Sequence, residues 1–265
     1  MGRGPEAVST TWRPGVVSAT FKTLPAEEVI RLAVENHLEA VEWSENAHVM
    51  PDDPAGASAL RRATETAGLT VACYGSYYRL GEYEDAEATF RRSLVSAKAL
   101  GAPLMRVWAG VKPSCEADEA YRRRLTQEAR RIAEMAAGEG ITVVTEWHKN
   151  TLTDTNESGL ALLKAVDHPS FRTLWQPTVA LTPAQRVAGI RALGPNITNM
   201  HVYSWPDGKR GPLNAAEWAY YLDAAAEMGG SHFALLEFVR DNTPEQFAED
   251  AARLIDLIQN GGYDG

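Results

Sequence analysis

The chain has 265 residues, of which 45% are hydrophobic and 23% charged, a composition that is typical of globular proteins and excludes disordered and fibrous ones. Its formal net charge of −9 argues against a nucleic-acid partner, because affinity for nucleic acids comes largely from Lys and Arg that neutralise phosphates. The two cysteines are isolated, and no apolar run nears the roughly 20 residues that span a bilayer. Residues 1–15 lack the apolar stretch that is typical of a signal peptide, so we expect a cytoplasmic protein without membrane contact that acts on a small molecule.

Short runs of β-branched or aromatic residues recur along the chain and predict eight strands, at residues 15–20, 38–43, 69–74, 104–108, 141–146, 171–176, 197–203 and 232–238. Amphipathic segments between them predict eight helices, at residues 25–36, 57–67, 85–100, 117–137, 157–166, 183–193, 215–228 and 244–258. Thr182 before Pro183 and Thr243 before Pro244 are typical of helix starts, because Thr caps the first turn and proline fits the first helical position. Residues 1–14 precede the first predicted strand, and we expect them to form a flexible N-terminus.

The alternation of strands and helices predicts a parallel sheet, because parallel neighbours need a helical crossover. Eight such units in a chain of this length predict a single-domain α/β fold, the (β/α)₈ TIM barrel, over residues 1–265. The alternative is an open doubly wound sheet, which usually carries a glycine-rich phosphate loop after its first strand. Residues 18–23 are Ser-Ala-Thr-Phe-Lys-Thr and contain no such loop, so the barrel is favoured.

Four residues that can ligate a metal stand at the carboxyl ends of the last four predicted strands, where TIM barrels carry their active sites: Glu146, Gln176, His201 and Glu237. Carboxylates in apolar runs are costly to bury without a partner, and a divalent cation can supply one. Two carboxylates, an amide oxygen and an imidazole suit Mn²⁺, Co²⁺ or Mg²⁺ better than tetrahedral Zn²⁺. The alternative is that each carboxylate forms a salt bridge and the histidine is an ordinary core residue.

These four residues, with the segments GLTVACYGSYYRLG and LMRVWAG, resemble the xylose-isomerase-like superfamily of sugar phosphate isomerases and epimerases. The resemblance covers essentially the whole chain. It implies a TIM barrel and one divalent metal ion held by residues of the last four strands. It does not select a substrate, because the superfamily includes isomerases, epimerases, dehydratases and a DNA-repair endonuclease.

Three positions depart from the pattern of that superfamily. Gln176 stands where the second ligand is normally Asp, Val179 where a substrate-binding His is usual, and Asp207 where an Arg is common. An amide adds no charge, so we expect a metal bound less tightly and acting as a stronger Lewis acid. The other two departures weaken the case for sugar-epimerase specificity.

Further side chains at the predicted rim are candidates for substrate contact: Trp43, Tyr74, Trp108, Trp147, Trp205, His48, His148 and Arg106. Aromatic planes can pack on the C–H faces of a sugar, although large rings could equally plug the top of the barrel. Arg106 in a strand needs an anionic partner, and Glu42 of the neighbouring region is an alternative to a substrate phosphate. Lys209 and Arg210 could hold an anionic group or simply be solvated.

The sequence thus predicts a divalent-metal-dependent isomerase or epimerase of a sugar or polyol. Glu146 and Glu237 would remove and return a proton next to a carbonyl. A metal-dependent lyase or dehydratase is the main alternative, and a homo-oligomer is compatible with the sequence. A non-catalytic sugar-binding barrel and a DNA-repair endonuclease are less favoured, the latter because the chain is acidic and has only six histidines.

Overall fold

The computed structural model describes residues 10–260, in which eight parallel strands close into a barrel in the order β1 to β8. The strands are β1 (Thr10–Val17), β2 (Ala40–Ser44), β3 (Thr70–Arg79), β4 (Leu104–Trp108), β5 (Thr142–Glu146), β6 (Phe171–Trp175), β7 (Ile197–Val202) and β8 (Gly230–Leu236). The helices are α1 (Ala26–Glu35), α2 (Pro54–Thr66), α3 (Ala86–Leu100), α4 (Glu119–Ala137), α5 (Asn156–Val166), α6 (Pro183–Leu193), α7 (Ala215–Ala224) and α8 (Pro244–Asn260). The predicted single TIM barrel is confirmed. None of the helices in residues 10–260 is long and apolar enough to cross a membrane.

The first strand begins earlier than predicted. Thr10 to Arg13 pair with residues 230–233 of β8, whereas pairing with β2 starts only at Gly15. Pro14 fits this stretch because strand pairing with β2 starts only at the next residue. The carbonyl oxygen of Pro14 accepts the N–H of Glu39, the residue before β2. Residues 10–14 are therefore part of the barrel rather than of a flexible terminus, and residues 1–9 lie outside the described residues.

Helix ends follow the sequence signals. The Thr182 side chain accepts from the N–H of Gln185, whose own side chain accepts from the N–H of Thr182, and this capping box starts α6. Oγ1 of Thr243 accepts the N–H of Gln246 at 3.2 Å and so caps the start of α8, without the reciprocal bond from the glutamine side chain. Gly101 ends α3 at φ 71°, a left-handed conformation that a side chain would disfavour. These signals place the helices so that the strands' carboxyl ends meet at one rim.

Three tryptophans fill the layer between barrel and helices. The Trp43 indole donates to Thr64 Oγ1 of α2 at 3.1 Å, and the Trp175 ring packs at 5.1 Å from the ring of Tyr221 on α7. The Trp147 ring lies so close to Gly159 of α5 that a Cβ there would come within 2.1 Å of it. All three indoles are fully buried, so they stabilise helix packing rather than line the lumen.

We predict that Gly159→Ala destabilises the protein by about 1–3 kcal/mol, because the added methyl overpacks against Trp147. The control is Gly138→Ala in the exposed turn after α4, where the new methyl meets only ordinary contacts. Gly138→Ala should leave the free energy of unfolding within about 1 kcal/mol. Urea unfolding measures both variants, and Trp147→Phe added to Gly159→Ala should recover part of the loss. Equal stability of the two glycine variants would contradict the packing.

Candidate active site

Arg106 of β4 is a buried cation at the carboxyl end of the barrel, with 4% of its surface exposed. Its Nη1 donates to Glu146 at the end of β5, and its Nε lies 3.3 Å from Oε1 of Glu42 on β2. Glu146 also accepts from the indole of Trp108 and from Nε2 of Gln176, the latter at 2.8 Å. Arg106 contacts Glu42, the alternative to a substrate phosphate, although Glu42 lies on β2 and not on a strand adjacent to β4. One guanidinium thus joins carboxylates from two strands.

His201 of β7 lies between two carboxylates, Glu42 and Glu237. Its Nε2 is 2.9 Å from Oε2 of Glu42, and its Nδ1 is 3.3 Å from Oε2 of Glu237. The His201 side chain is fully buried, as is that of Glu42. The contacts therefore form one chain across the lumen, which we call the lumen network: Gln176, Glu146, Arg106, Glu42, His201 and Glu237.

Electrostatics within the lumen network fix its charges. Burial raises the pKa of Glu146, but the attraction of Arg106 and His201 is stronger and lowers that pKa to about 2. Burial lowers the pKa of His201, whereas Glu42 and Glu237 raise it to about 10. At neutral pH Glu146 is consequently a carboxylate and His201 an imidazolium.

The four predicted metal ligands lie together as two pairs, Gln176 with Glu146 and His201 with Glu237. Oε1 of Gln176 and Nδ1 of His201 are buried and form no hydrogen bond in the described residues, although Nδ1 of His201 keeps its ionic contact with Glu237. The donor types and these two atoms fit a divalent cation. As placed within residues 10–260, no three His, Cys, Asp or Glu side chains form a cation cage. Metal binding would require His201 to release its proton and Glu146 to exchange contacts.

A cleft opens above the lumen network and is lined by Glu146, Trp147, His148, Lys149, Gln176, Thr178, Val179, Tyr203, Trp205 and Phe238. His148 packs its ring 5.8 Å from that of Trp108, and its Nδ1 lies 2.7 Å from the carbonyl oxygen of Lys149. Because a carbonyl oxygen only accepts, Nδ1 carries a hydrogen. Nε2 forms no hydrogen bond with any residue of 10–260 and lies at the edge of the cleft.

Three other predicted substrate contacts lie in the outer layer. His48 uses both ring nitrogens, Nε2 at 2.9 Å from the Leu24 carbonyl and Nδ1 at 3.0 Å from Ser18 Oγ. The Tyr74 hydroxyl donates to Glu45 at 2.8 Å. Trp43 packs against α2 as described. The structure therefore brings Trp205 and His148 to the cleft and leaves His48, Tyr74 and Trp43 outside it. Trp147 borders the cleft with its ring turned to α5, and Trp108 lies behind it, in contact with Glu146 and His148.

Three residues of this region were missed by the sequence analysis as site residues. Glu42 was considered only as a partner of Arg106, although a carboxylate in the apolar run of β2 is as unusual as Glu146 in β5. Tyr203 follows β7 and donates to the Pro177 carbonyl at 3.1 Å. Phe238 lies beyond β8 at φ 57°, a conformation that no sequence signal announces.

A closed barrel whose strands direct charged groups to their carboxyl ends has the layout of a TIM-barrel enzyme. The model of the xylose isomerase-like TIM barrel family matches residues 30–258, and the chain belongs to that family. The predicted resemblance is confirmed.

Among curated proteins, a 3-dehydroshikimate dehydratase of Bacillus anthracis is 26% identical over 161 residues, which cover 59% of this chain and 58% of that relative. The crystal structure of the probable 3-DHS dehydratase of petrobactin synthesis from the same organism superposes with a TM-score of 0.79 at 19% identity, over 92% of this chain and 98% of that one. A Mycobacterium smegmatis barrel solved with magnesium gives a TM-score of 0.67 at 16% identity, over 95% and 98% of the two chains. A Methylomonas D-allulose 3-epimerase gives 0.69 at 15%, over 95% and 99%.

We predict that Arg106→Met destabilises the fold by about 3–5 kcal/mol, because it leaves Glu42 and Glu146 buried without their cation. Adding Glu146→Gln should recover part of that loss, since it removes one uncompensated charge. The control is Arg123→Met on α4, whose exposed pair with Glu119 at 3.6 Å should contribute less than about 1 kcal/mol. Denaturant unfolding gives the three values. A loss in Arg106→Met no larger than that in the control would show that the network is not stabilised by this cation.

Proposed function

We propose that the protein is a divalent-metal-dependent dehydratase that removes water from a cyclic hydroxy ketone acid of the 3-dehydroshikimate type. The observation that supports the proposal is that Glu146 and His148, which both line the cleft, are suited to different roles. Arg106 and Trp108 hold Glu146 in its ionised form, while Nε2 of His148 has no partner among the described residues. The similarity to dehydratases in both sequence and structure supports the same choice.

Glu146 is poorly suited to carry a proton through a catalytic cycle. A general acid or base works best when its pKa is near the working pH, whereas contacts with Arg106 and His201 lower the pKa of Glu146 to about 2. A permanently ionised carboxylate is better suited to hold a cation. This favours a mechanism in which another group moves the proton.

Glu146, Gln176, His201 and Glu237 would hold the metal, with Mn²⁺, Co²⁺ or Mg²⁺ preferred over Zn²⁺ because the donors are mostly oxygen. When bound, the ion supplies a Lewis acid that stabilises negative charge on the substrate's carbonyl oxygen. Glu42 keeps Nε2 of His201 engaged, so Nδ1 is the nitrogen left for the cation.

His148 would perform the proton transfers. Its Nε2 removes a proton from the carbon next to the ketone, and the electron pair of that C–H bond moves towards the carbonyl oxygen as an enolate. The protonated ring gives this proton to the β-hydroxyl, which leaves as water while the enolate electrons form the new C=C bond. The dienone that results becomes aromatic when a ring C–H proton is lost and the carbonyl oxygen gains one. Trp108 packs against the His148 ring and helps to fix its position.

An epimerase is the second candidate. Glu146 and Glu237 come from β5 and β8 in the same network, and such a pair could exchange a proton on two faces of a substrate. In that case the carbon next to the carbonyl would exchange its hydrogen with D₂O without loss of water.

We predict that the Mn²⁺-loaded protein converts 3-dehydroshikimate into an aromatic dihydroxybenzoate, detected by its near-ultraviolet absorbance and by NMR. His148→Gln should lower kcat by about 100-fold or more while the affinity for Mn²⁺ stays unchanged, because the base is lost and the metal donors are kept. His37→Gln, in the exposed turn before β2, is the control and should retain full activity.

Hydrogen exchange in D₂O without aromatic product would replace the dehydratase by the epimerase. Unchanged kcat in His148→Gln would remove that residue from the mechanism. Neither exchange nor product with a set of keto acids and keto sugars would favour a binding protein.

We also predict that Gln176 tunes metal affinity. Gln176→Asp should lower the Kd for Mn²⁺, because a carboxylate adds a charge where the amide oxygen adds none, and Gln176→Leu should raise it. Calorimetric titration with Mn²⁺ measures both values independently of activity. A Gln176→Leu variant that binds Mn²⁺ as tightly as the parent would mean that Gln176 is not a ligand.

A further inference from the structure

A second cleft lies beside the candidate active site, between the loops that follow β1, β7 and β8. We call it the side cleft, and it is lined chiefly by Thr20, Lys22, Arg210, Phe238, Asn242 and Pro244. The proposed dehydration assigns it no role.

The side cleft holds two cations without an acidic partner. Nη1 of Arg210 donates to the amide oxygen of Asn242 at 2.8 Å, and its guanidinium stacks 4.5 Å from the centre of the Phe238 ring. Nζ of Lys22 lies 5.4 Å from the centre of the Tyr77 ring. Neither Lys22 nor Arg210 forms a salt bridge with a carboxylate of residues 10–260, although the chain has 35 Asp and Glu for 26 Lys and Arg. Both residues are exposed, so an anion that enters the side cleft meets two positive charges that no carboxylate of residues 10–260 offsets.

Phe238 connects the side cleft to the active-site cleft. It lines both clefts and directly follows Glu237 of the lumen network. Its N–H donates to Thr20 Oγ1 at 3.2 Å, which fastens the end of β8 to the loop after β1. The two clefts therefore meet at the Phe238 ring, and a substrate that occupies both would have to pass it.

The lumen network itself cannot receive a substrate anion easily. Its cations are already held by glutamates, Arg106 by Glu42 and Glu146, and the protonated His201 by Glu42 and Glu237. A carboxylate of the substrate placed there would meet two like charges. The anionic end of a substrate must then reach cations outside the lumen.

We propose that Lys22 and Arg210 form a subsite in the side cleft that binds the anionic group of the substrate. This inference rests on the proposed function for the reacting end of the substrate. The shared chemistry is a carboxylate or a phosphate, which an ammonium and a guanidinium both recognise by charge-assisted hydrogen bonds. Lys149 borders the active-site cleft as a single exposed cation and is the competing position.

The test compares three ligands on the Mn²⁺-loaded protein by calorimetry: 3,4-dihydroxybenzoate, catechol, which is the same ring without the carboxylate, and inorganic phosphate. In the double variant Lys22→Met, Arg210→Met the Kd for dihydroxybenzoate should rise about tenfold or more, because charge-assisted hydrogen bonds are lost. The Kd for catechol should stay unchanged. Lys209→Met, which alters an exposed neighbour in the same loop, is the matched control.

The subsite is supported if the Kd for dihydroxybenzoate or phosphate rises in the double variant and not in Lys209→Met. The ligand whose Kd rises more shows whether the subsite prefers a carboxylate or a phosphate. The subsite is overturned if the parent and the double variant bind dihydroxybenzoate and phosphate with equal affinity. It is also overturned if only Lys149→Met lowers these affinities. The proposed function fails separately, when 3-dehydroshikimate loses no water in the parent protein. The double variant would still report anion binding in that case.

Discussion

The burial of Arg106 among carboxylates is the constraint on which the rest of the active-site end depends. In a low-dielectric lumen an unpaired charge is far more costly than in water, so each group of the lumen network needs its neighbours. Gly75 on β3 provides the space that the contact between Glu42 and Arg106 needs. A Cβ at this position would lie 2.8 Å from Oε1 of Glu42 and 3.1 Å from Nη2 of Arg106. A buried network of this kind is weak evidence for stability, since well-packed apolar residues often stabilise a core as well or better. Its value is that it holds carboxylates and an imidazole in place for chemistry.

Sequence patterns were sufficient for the fold because the signals at each level agreed. Alternating strands and helices, capping residues such as Thr182 and the glycine that ends α3 all favoured one barrel. The error at β1 has a local cause. Thr10 to Pro14 pair only with β8, and a strand with one free edge can be polar and contain proline, so it lacks the apolar run that predicts a strand.

The positions of two tryptophans follow from the alternation of side chains along a strand. Successive side chains of a strand point to opposite faces, so a residue next to a lumen-facing one points to the helices. Trp43 follows Glu42 and Trp147 follows Glu146, and both rings accordingly pack outside the barrel. The same alternation places Glu42 in the lumen and would have identified it. By contrast, the tautomer of His148 depends on the carbonyl of Lys149, which only the folded loop brings within 2.7 Å.

The neutral side chain of Gln176 and the positive charge of Arg106 can both be understood from the net charge of the lumen network. In the lumen network, three glutamates face two cations, Arg106 and the protonated His201. Since Arg106 and Glu42 offset each other, a divalent ion that displaces the His201 proton would be neutralised by Glu146 and Glu237 alone. A carboxylate at position 176 would add a further negative charge to this network, and negative charge opposes an anion that forms on a substrate carbonyl. With the proposed metal bound, the neutral amide would supply a ligand oxygen without adding charge.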